Sequence, residues 1–449
     1  MRVALGAALA ALGLACAPEE PPRHLVWISL DTLRRDHLPT YGYARDTAPA
    51  IDALARSGVV FDEAFAQHTN TLPSHASMFT GLYAHAHGSR ANGQPLPAGR
   101  TALAQVLAAA GFRTAAFVSS TTLAARASGL ERGFQVYDDA FDGGRRDGQA
   151  TALRAREWWS GVAEGERAFL FVHLYDPHGP YRPPGRYAEL FRSPEPGPRL
   201  REIPSYQLLR DAAGRPLLHR NAYVDRYDGA IRYADDQVAG LVEGLDLERS
   251  LLVLLADHGE TLDERRHVLD HGGQVFDEQI RIPLILRGAG LDPGRIAEPV
   301  ETVDLLPTVL ELLGVAAPAG TELHGHSLVP LLRGGGFEPG PVFASSRAIA
   351  QRHRDRGYRF PPGAQIHSLR TDRWKLILYP DLRGERLELY DLAADPAERD
   401  DRAAREPRVR GELRARLGRW LALERPAPPP PPLDPELREQ LDALGYGEP

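Results

Sequence analysis

HLVWISLD, residues 24–31, carries the first structural signal in this 449-residue chain. A short apolar run bounded by polar residues reads as a buried strand, and the acid that closes it is Asp31. Four further runs share the pattern: RTAAFVSS at 113–120, RAFLFVHLYD at 167–176, SLLVLLADHG at 250–259 and IPLILRG at 282–288. Amphipathic stretches at 48–57, 101–110 and 223–245 lie between them. Buried strands alternating with helices predict an α/β fold with a mostly parallel central sheet flanked by helices.

From about His367 the pattern changes. HSLRTDRWKLILY and RLELYDL alternate with turn signals, and a charged helical stretch follows, ending near Glu424. This predicts a smaller C-terminal subdomain over 341–425 with a short antiparallel sheet, behind a catalytic domain over 25–340. RPAPPPPPLDP, from residue 425, reads as a stiff polyproline spacer. ELREQLDALGYGEP reads as a last short helix that docks back, so that 426–449 form a spacer and terminal helix.

The composition is that of a soluble globular protein, 43% hydrophobic and 25% charged. Lys and Arg total 53 against 60 Asp and Glu, a formal net charge of -7. That balance argues against nucleic acid as a partner, so an anionic substrate must be held by local groups. The first residues, MRVALGAALAALGLAC, have the form of a secretory signal: one Arg, a short apolar run, then small residues. Cys16 is the only cysteine, and LGLAC loosely fits a bacterial lipobox. The expectation is a signal peptide over 1–16 with lipidation at Cys16, a tether over 17–24, and export to the cell envelope. The membrane is then met through the lipid anchor only. Cleavage near Ala15 as a plain signal is the other reading.

Two predicted strands end in acids, Asp31 and Asp257, and His258 follows directly. In open α/β sheets the ligand crevice lies beyond the carboxyl ends of the strands, so these groups should converge there. Neighbouring buried carboxylates repel unless a cation lies between them, which points to a divalent metal. Helix capping by Asp31 and turn initiation by Asp257 explain each acid singly. In NTLPSHASMFTG, residues 70–81, Thr71 stands where a loop gives way to a helix. A hydroxyl there faces free backbone N–H groups and the positive end of the helix dipole, which favour an oxyanion. A nearby metal would make it an accessible nucleophile, whereas the plainer role is a simple cap.

The chain resembles the sulfatase family of the alkaline phosphatase superfamily over most of its length, from Leu25 to Tyr446. The resemblance rests on ISLDTLRRDHLPTYGY, TLPSHASMFTGLYAHAHG, HLYDPHGPY, YDGAIRYADDQV, LLADHGETL, the HGG at His271 followed by IRIPLIL, TVDLLPTVLELLGV, LRTDRWKLI and LYDLAADPAE. It implies an alkaline phosphatase/sulfatase-like fold. Asp31, Asp257 and His258 fall on metal-ligand positions, with Thr71 beside the same metal. Thr71 also occupies the position of the cysteine that sulfatases oxidise to formylglycine. His178 and His271 fall where members place groups that hold the anionic substrate and assist the leaving oxygen. His75 replaces a common arginine, which suggests contact with the nucleophile or the bound anion. For His178 a structural turn is the alternative.

Three departures from the family pattern bear on the chemistry. Thr32 replaces the second of the paired aspartates after the first strand. No Gly-Lys-Trp-His-like segment follows RTAAFVSS. Thr71 cannot become formylglycine. A formylglycine hydrate has two hydroxyls and can expel sulfate through the second, whereas threonine has one. A phosphothreonine, by contrast, can be resolved by in-line attack at a metal-clamped phosphorus.

The resemblance therefore implies a metal-dependent hydrolase of phosphate or sulfate esters with Thr71 as covalent nucleophile, phosphoesters and phosphodiesters being favoured on chemistry. A sulfuric ester hydrolase of arylsulfatase type, a phosphoethanolamine-type transferase and a catalytically silent surface lipoprotein are the alternatives. The substrate would be a phosphorylated or sulfated glycan, a lipid head group or a small molecule. The metal would be Ca2+, Mg2+, Mn2+ or Zn2+, with His258 shifting the choice toward Mn2+ or Zn2+. Asp263, Glu264, His267 and Asp270 read as a solvated loop rather than a second metal site, and Asp36, Asp235 and Asp236 as structural. His85 and His87 read as turn residues. The Pro- and Arg-rich loop between Tyr181 and Tyr223 is expected to overhang the crevice.

Overall fold

The computed structural model describes residues 21–449 except 142, 266–267, 289, 426–431, 445 and 447–449. The expected signal with Cys16, the position of His267 and most of the proline spacer lie outside the described residues. Among the described residues no helix is long and apolar enough to cross a membrane.

The central sheet holds β1 (His24–Leu30), β2 (Val59–Phe65), β3 (Phe112–Phe117), β4 (Val136–Asp138), β5 (Arg167–Leu174), β6 (Ser250–Ala256), β7 (Arg281–Arg287), β8 (Gly294–Ile296) and β9 (Val300–Glu301). Its order is β4-β3-β5-β1-β6-β7-β2-β8, with β9 also paired to β2. The half from β4 to β6 is parallel, and β7 is antiparallel to both β6 and β2. β2 was not among the expected strands. Its VVFDEAF mixes apolar and acidic residues because Asp62 and Glu63 fall at a register shift in the pairing with β7 and are half-buried, paired to Arg295 and Arg281.

All residues of β1 and β6 are buried, as continuous apolar runs require when helices cover both faces. Those helices include α1 (Pro49–Arg56), α2 (Thr71–Thr80), α3 (Gly148–Ser160), α4 (Arg220–Val242) and α5 (Leu305–Leu312). Asp235 on α4 accepts the Ala50 and Ile51 amides at 2.9 and 2.8 Å, supplying partners to the free N–H groups of α1.

The C-terminal region forms a separate antiparallel sheet, β10 (Val342–Arg347), β11 (Gln365–Arg370), β12 (Trp374–Tyr379) and β13 (Arg386–Asp391). Helix α6 (Pro407–Leu421) packs on it through Leu413, Leu417 and Trp420. A last helix, α7 (Pro435–Ala443), follows the spacer.

Lys375, fully buried on β12, ties this sheet to the first. Its Nζ lies 2.8 Å from both Asp277 Oδ1 and Glu398 Oε1, and Asp277 begins the short helix that leads into β7. Burial works against the Asp277 charge, but Lys375 and Arg370 hold its carboxyl below the usual range. Lys375→Met leaves both carboxylates buried without that ammonium. We expect a loss of about 3–5 kcal/mol, read as a lower denaturation midpoint.

Candidate active site at the carboxyl ends of the central strands

The register of the three middle strands decides which residues meet. Leu30 of β1 lies opposite Leu174 of β5 on one side and Ala256 of β6 on the other, so Asp31 and Asp257 leave the sheet side by side. The next residue, Thr32, has a left-handed backbone at φ 57°, rare for a β-branched residue. Its amide donates to Asp257 Oδ1 at 3.2 Å, and its carbonyl accepts from the Tyr227 hydroxyl at 2.7 Å. Tyr227 oxygen in turn accepts from the Arg34 amide at 2.9 Å. The strained turn is thus clamped from α4, and it aims Asp31 along the sheet edge instead of into a helix cap.

Asp31, Asp257 and His258 are fully buried, and each offers a ligand atom within 4.8 Å of the others. His258 Nδ1 lies 3.0 Å from the Gly259 carbonyl, so it carries the proton of the neutral ring and leaves Nε2 as a lone pair. Asp31 Oδ1, Asp257 Oδ2 and His258 Nε2 have no hydrogen-bond partner. Burial, and next the charge of Asp257, push the Asp31 carboxyl well above its ordinary pKa. Orphaned, converging lone pairs at full burial are costly for the protein alone and suit a divalent cation. Two carboxylate oxygens and an imidazole nitrogen are a donor set such an ion accepts.

Thr71 is the first residue of α2, a helix buried along its whole length and closed by Gly81 at φ 66°. The Thr71 hydroxyl donates toward Asp31 Oδ2 at 3.4 Å. The Ser74 hydroxyl donates to the Asp257 carbonyl at 2.7 Å, which locks the helix start to the end of β6. His75 lies against the cluster, its Nδ1 3.9 Å from Asp257 Oδ2. Its Nδ1 is 2.8 Å from the Thr71 carbonyl and its Nε2 2.9 Å from Ser29 Oγ, with the ring fully buried. Through these two contacts His75 braces α2 against β1.

His178 and His271 come together across the site, their ring centroids 4.8 Å apart, with His271 stacked 4.6 Å from His258. Burial holds His178 down to about 3 and His271 well below the usual imidazole range. The loop between Tyr181 and Tyr223 touches the His271 loop: Gln207 donates to the Leu269 carbonyl at 3.0 Å and Tyr206 to Asp270 at 3.3 Å. Asp263, Glu264 and Asp270 are ion-paired to Arg220, Arg34 and Arg352. His87 accepts the Ser89 amide and meets Ser77 Oγ at 3.1 Å each, holding the turn after α2.

Three residues at the site escaped the sequence reading. His173 on β5 lies 3.3 Å from Asp31 Oδ2, with both ring nitrogens unpartnered. An imidazole inside an apolar run, RAFLFVHLYD, was the available signal. Glu260 faces His271 Nδ1 at 3.4 Å, accepts from the Tyr181 hydroxyl, and is pushed up to about 8 by burial. Tyr446, from the far end of the chain, places its hydroxyl beside His178 and His271. No local pattern marked either one.

The sequence matches the Sulfatase family over residues 23–315 and the C-terminal family of N-sulphoglucosamine sulphohydrolase over residues 270–421. This chain belongs to the sulfatase family. A Delta 4,5-hexuronate-2-O-sulfatase of Bacteroides thetaiotaomicron is 26% identical over 462 residues, covering 92% of this chain and 91% of that protein. Arylsulfatase K of Homo sapiens is 27% identical over 183 residues, 38% of this chain and 31% of that protein. Among solved structures, the phosphonate monoester hydrolase of Agrobacterium radiobacter superposes with a TM-score of 0.71 at 21% identity, over 90% of this chain and 96% of that one. As a sulfatase-family protein the chain is an ester hydrolase, and members of the family bind a divalent metal.

The orphaned ligand atoms make a direct prediction for this sulfatase-family site. Titration with a divalent cation should stabilise the protein by about 2.7 kcal/mol at a hundredfold excess over Kd. The readout is the thermal midpoint together with the heat of binding. Asp257→Ala should abolish both.

Proposed function

We propose that the protein cleaves phosphate mono- or diesters, with Thr71 as a covalent nucleophile. The observation that carries this reading is the Thr71 hydroxyl at the head of α2, 3.4 Å from Asp31 in the buried cluster. Asp31, Asp257 and His258 would hold the metal with Thr71 beside it, and the mixed oxygen and nitrogen set favours Mn2+ or Zn2+ over Ca2+ or Mg2+. When bound, such an ion supplies Lewis-acid charge that favours the alkoxide of Thr71 and polarises the ester.

The residues of the chain do the rest. Thr71 Oγ1 bonds to phosphorus as the ester oxygen departs, and Asp31 Oδ2 is the nearest acceptor for the threonine proton. His178 and His271, on the opposite side, serve the departing oxygen. Burial keeps them neutral in the ligand-free site, and an anionic ester beside them raises their proton affinity, so one becomes the acid that the alcohol needs. Glu260 orients His271 through Nδ1. Water then attacks the phosphothreonine, returning the Thr71 hydroxyl and releasing inorganic phosphate or a monoester. Threonine has a workable exit at phosphorus and none by C–O cleavage at sulfur.

A second reading, a sulfate-ester hydrolase, is favoured by the hexuronate sulfatase that matches 92% of the chain. The leader over residues 1–16 supports export, with anchoring through Cys16. Either reading calls for an anionic ester substrate.

Each of the four metals is to be assayed in parallel with aryl phosphate mono- and diesters and an aryl sulfate. Phosphoester turnover should fall at least about a thousandfold in Thr71→Ala. Sulfate release as the main, Thr71-dependent activity sinks the phosphoester reading in favour of the second. His178→Ala and His271→Ala separate the acid from its neighbour. Loss of the acid should lower kcat by about 100- to 10,000-fold for an alkyl leaving group and far less for a nitrophenol, which departs without a proton.

A further inference from the structure

Tyr446 follows His178 by 268 residues, yet its hydroxyl lies 2.9 Å from His178 Nε2 and 3.0 Å from His271 Nε2. The Thr71 side chain is a further hydrogen-bond neighbour of the same hydroxyl. One oxygen therefore stands between the two imidazoles and the threonine. Its hydrogen bonding is consistent. His178 Nδ1 sits 2.6 Å from the Gly179 carbonyl, which only accepts, so Nε2 of the neutral ring is an acceptor, and the Tyr446 hydroxyl lies nearer to it than the Tyr175 hydroxyl at 3.3 Å.

Helix α7 delivers this tyrosine. Asp434 caps its first turn by accepting the Glu436 and Leu437 amides at 3.0 and 3.2 Å. The Tyr446 amide closes its far end on the Leu441 carbonyl at 2.9 Å. Leu437 and Leu441 pack on Ala124 and Ala127 in a small cluster apart from the main core. Gln440 Oε1 accepts from Thr121 at 3.0 Å and from Arg126 at 2.8 Å. The adjoining Arg126–Glu436 pair is exposed and adds little. Phe141, Leu433 and Tyr446 complete that cluster, and contacts confined to one small satellite cluster let α7 detach at lower cost than unfolding the domain.

Two oxygens cannot share one seat. An ester oxygen protonated by His178 or His271 must stand where the Tyr446 hydroxyl now stands. We propose that the C-terminal segment is an intramolecular inhibitor: α7 holds Tyr446 in the seat of the leaving oxygen, and substrate enters only after the segment lifts away. Tyr446 imitates the alcohol that hydrolysis releases rather than the anion, so it competes at the leaving-group side of the site. The inference rests on the proposed roles of His178 and His271 for the identity of that seat.

The test uses the full chain in three forms: unaltered, Tyr446→Ala, and Leu437→Asp with Leu441→Asp to undock α7. Diethyl pyrocarbonate modification of His178 and His271 is followed by peptide mass spectrometry, with exposed His219 as internal control. Both altered forms should react at least about tenfold faster at His178 and His271, which are each only 3% exposed, and equally at His219. With an aryl phosphate, kcat/KM should rise about fivefold or more in both. Equal histidine reactivity in all three forms overturns the proposal. Faster histidine reaction with a tenfold fall in kcat/KM, carried by KM, also overturns it, because Tyr446 is then a substrate contact. Faster histidine reaction with no ester turnover in any form sinks the phosphoester reading while upholding the occlusion of the two histidines.

Discussion

Two carboxylates held side by side at full burial are the constraint on which this site depends. Asp31 and Asp257 emerge from adjacent parallel strands whose hydrogen-bonded register leaves them no choice of position. Neither can relax into solvent, and each keeps an oxygen without a donor. Such an arrangement is stable only with positive charge between the pair or a proton on one of them. The surroundings serve that demand. His258 presents its unprotonated nitrogen, the Thr32 amide and the His258 amide both donate to Asp257 Oδ1, and α2 turns its positive end toward the cluster.

The same demand explains the strain at Thr32. A relaxed backbone after β1 would carry Asp31 into an ordinary turn, where it could cap a helix. The left-handed residue, clamped by Tyr227, instead keeps Asp31 facing Asp257 and Thr71. Backbone strain of this kind persists where neighbouring contacts over-determine it, and Tyr227 makes those contacts through both its donor and its acceptor. The imidazoles complete a layered site. His75 braces α2 against β1, His258 converges with Asp31 and Asp257 in a group that could hold a cation, and His178 and His271 meet beside it. Burial works against positive charge on His75, His178 and His271 in the ligand-free state, so the charge the last two bring to a reaction depends on the anion that enters.

Much of this was legible in the chain. Apolar runs of seven or eight residues, alternating with amphipathic stretches, signalled the parallel half of the sheet, because strands buried on both faces need no polar alternation. β2 was missed for the opposite reason: Asp62 and Glu63, at a register shift within the strand, break the run. Asp31, Asp257, His258 and Thr71 could be placed together because a parallel sheet sends its strand ends to one edge. The partners of His75 were not legible, since the sequence shows that a histidine follows Ser74 but not which way the helix turns its ring.

By itself, then, the sequence determined the fold class, the edge at which Asp31 and Asp257 gather and the threonine at the head of the helix beside them. These follow from local periodicity, from the chirality of strand connections and from residue identity, all of which are properties of short stretches. Only the tertiary structure decided that His173 and Glu260 join the site, that the His75 ring bridges Thr71 and Ser29, and that Tyr446 stands between His178 and His271. Those facts depend on register across non-adjacent strands and on the docking of a helix nearly the whole chain away. No pattern within a short window encodes such distances, which are set by packing summed over the complete fold.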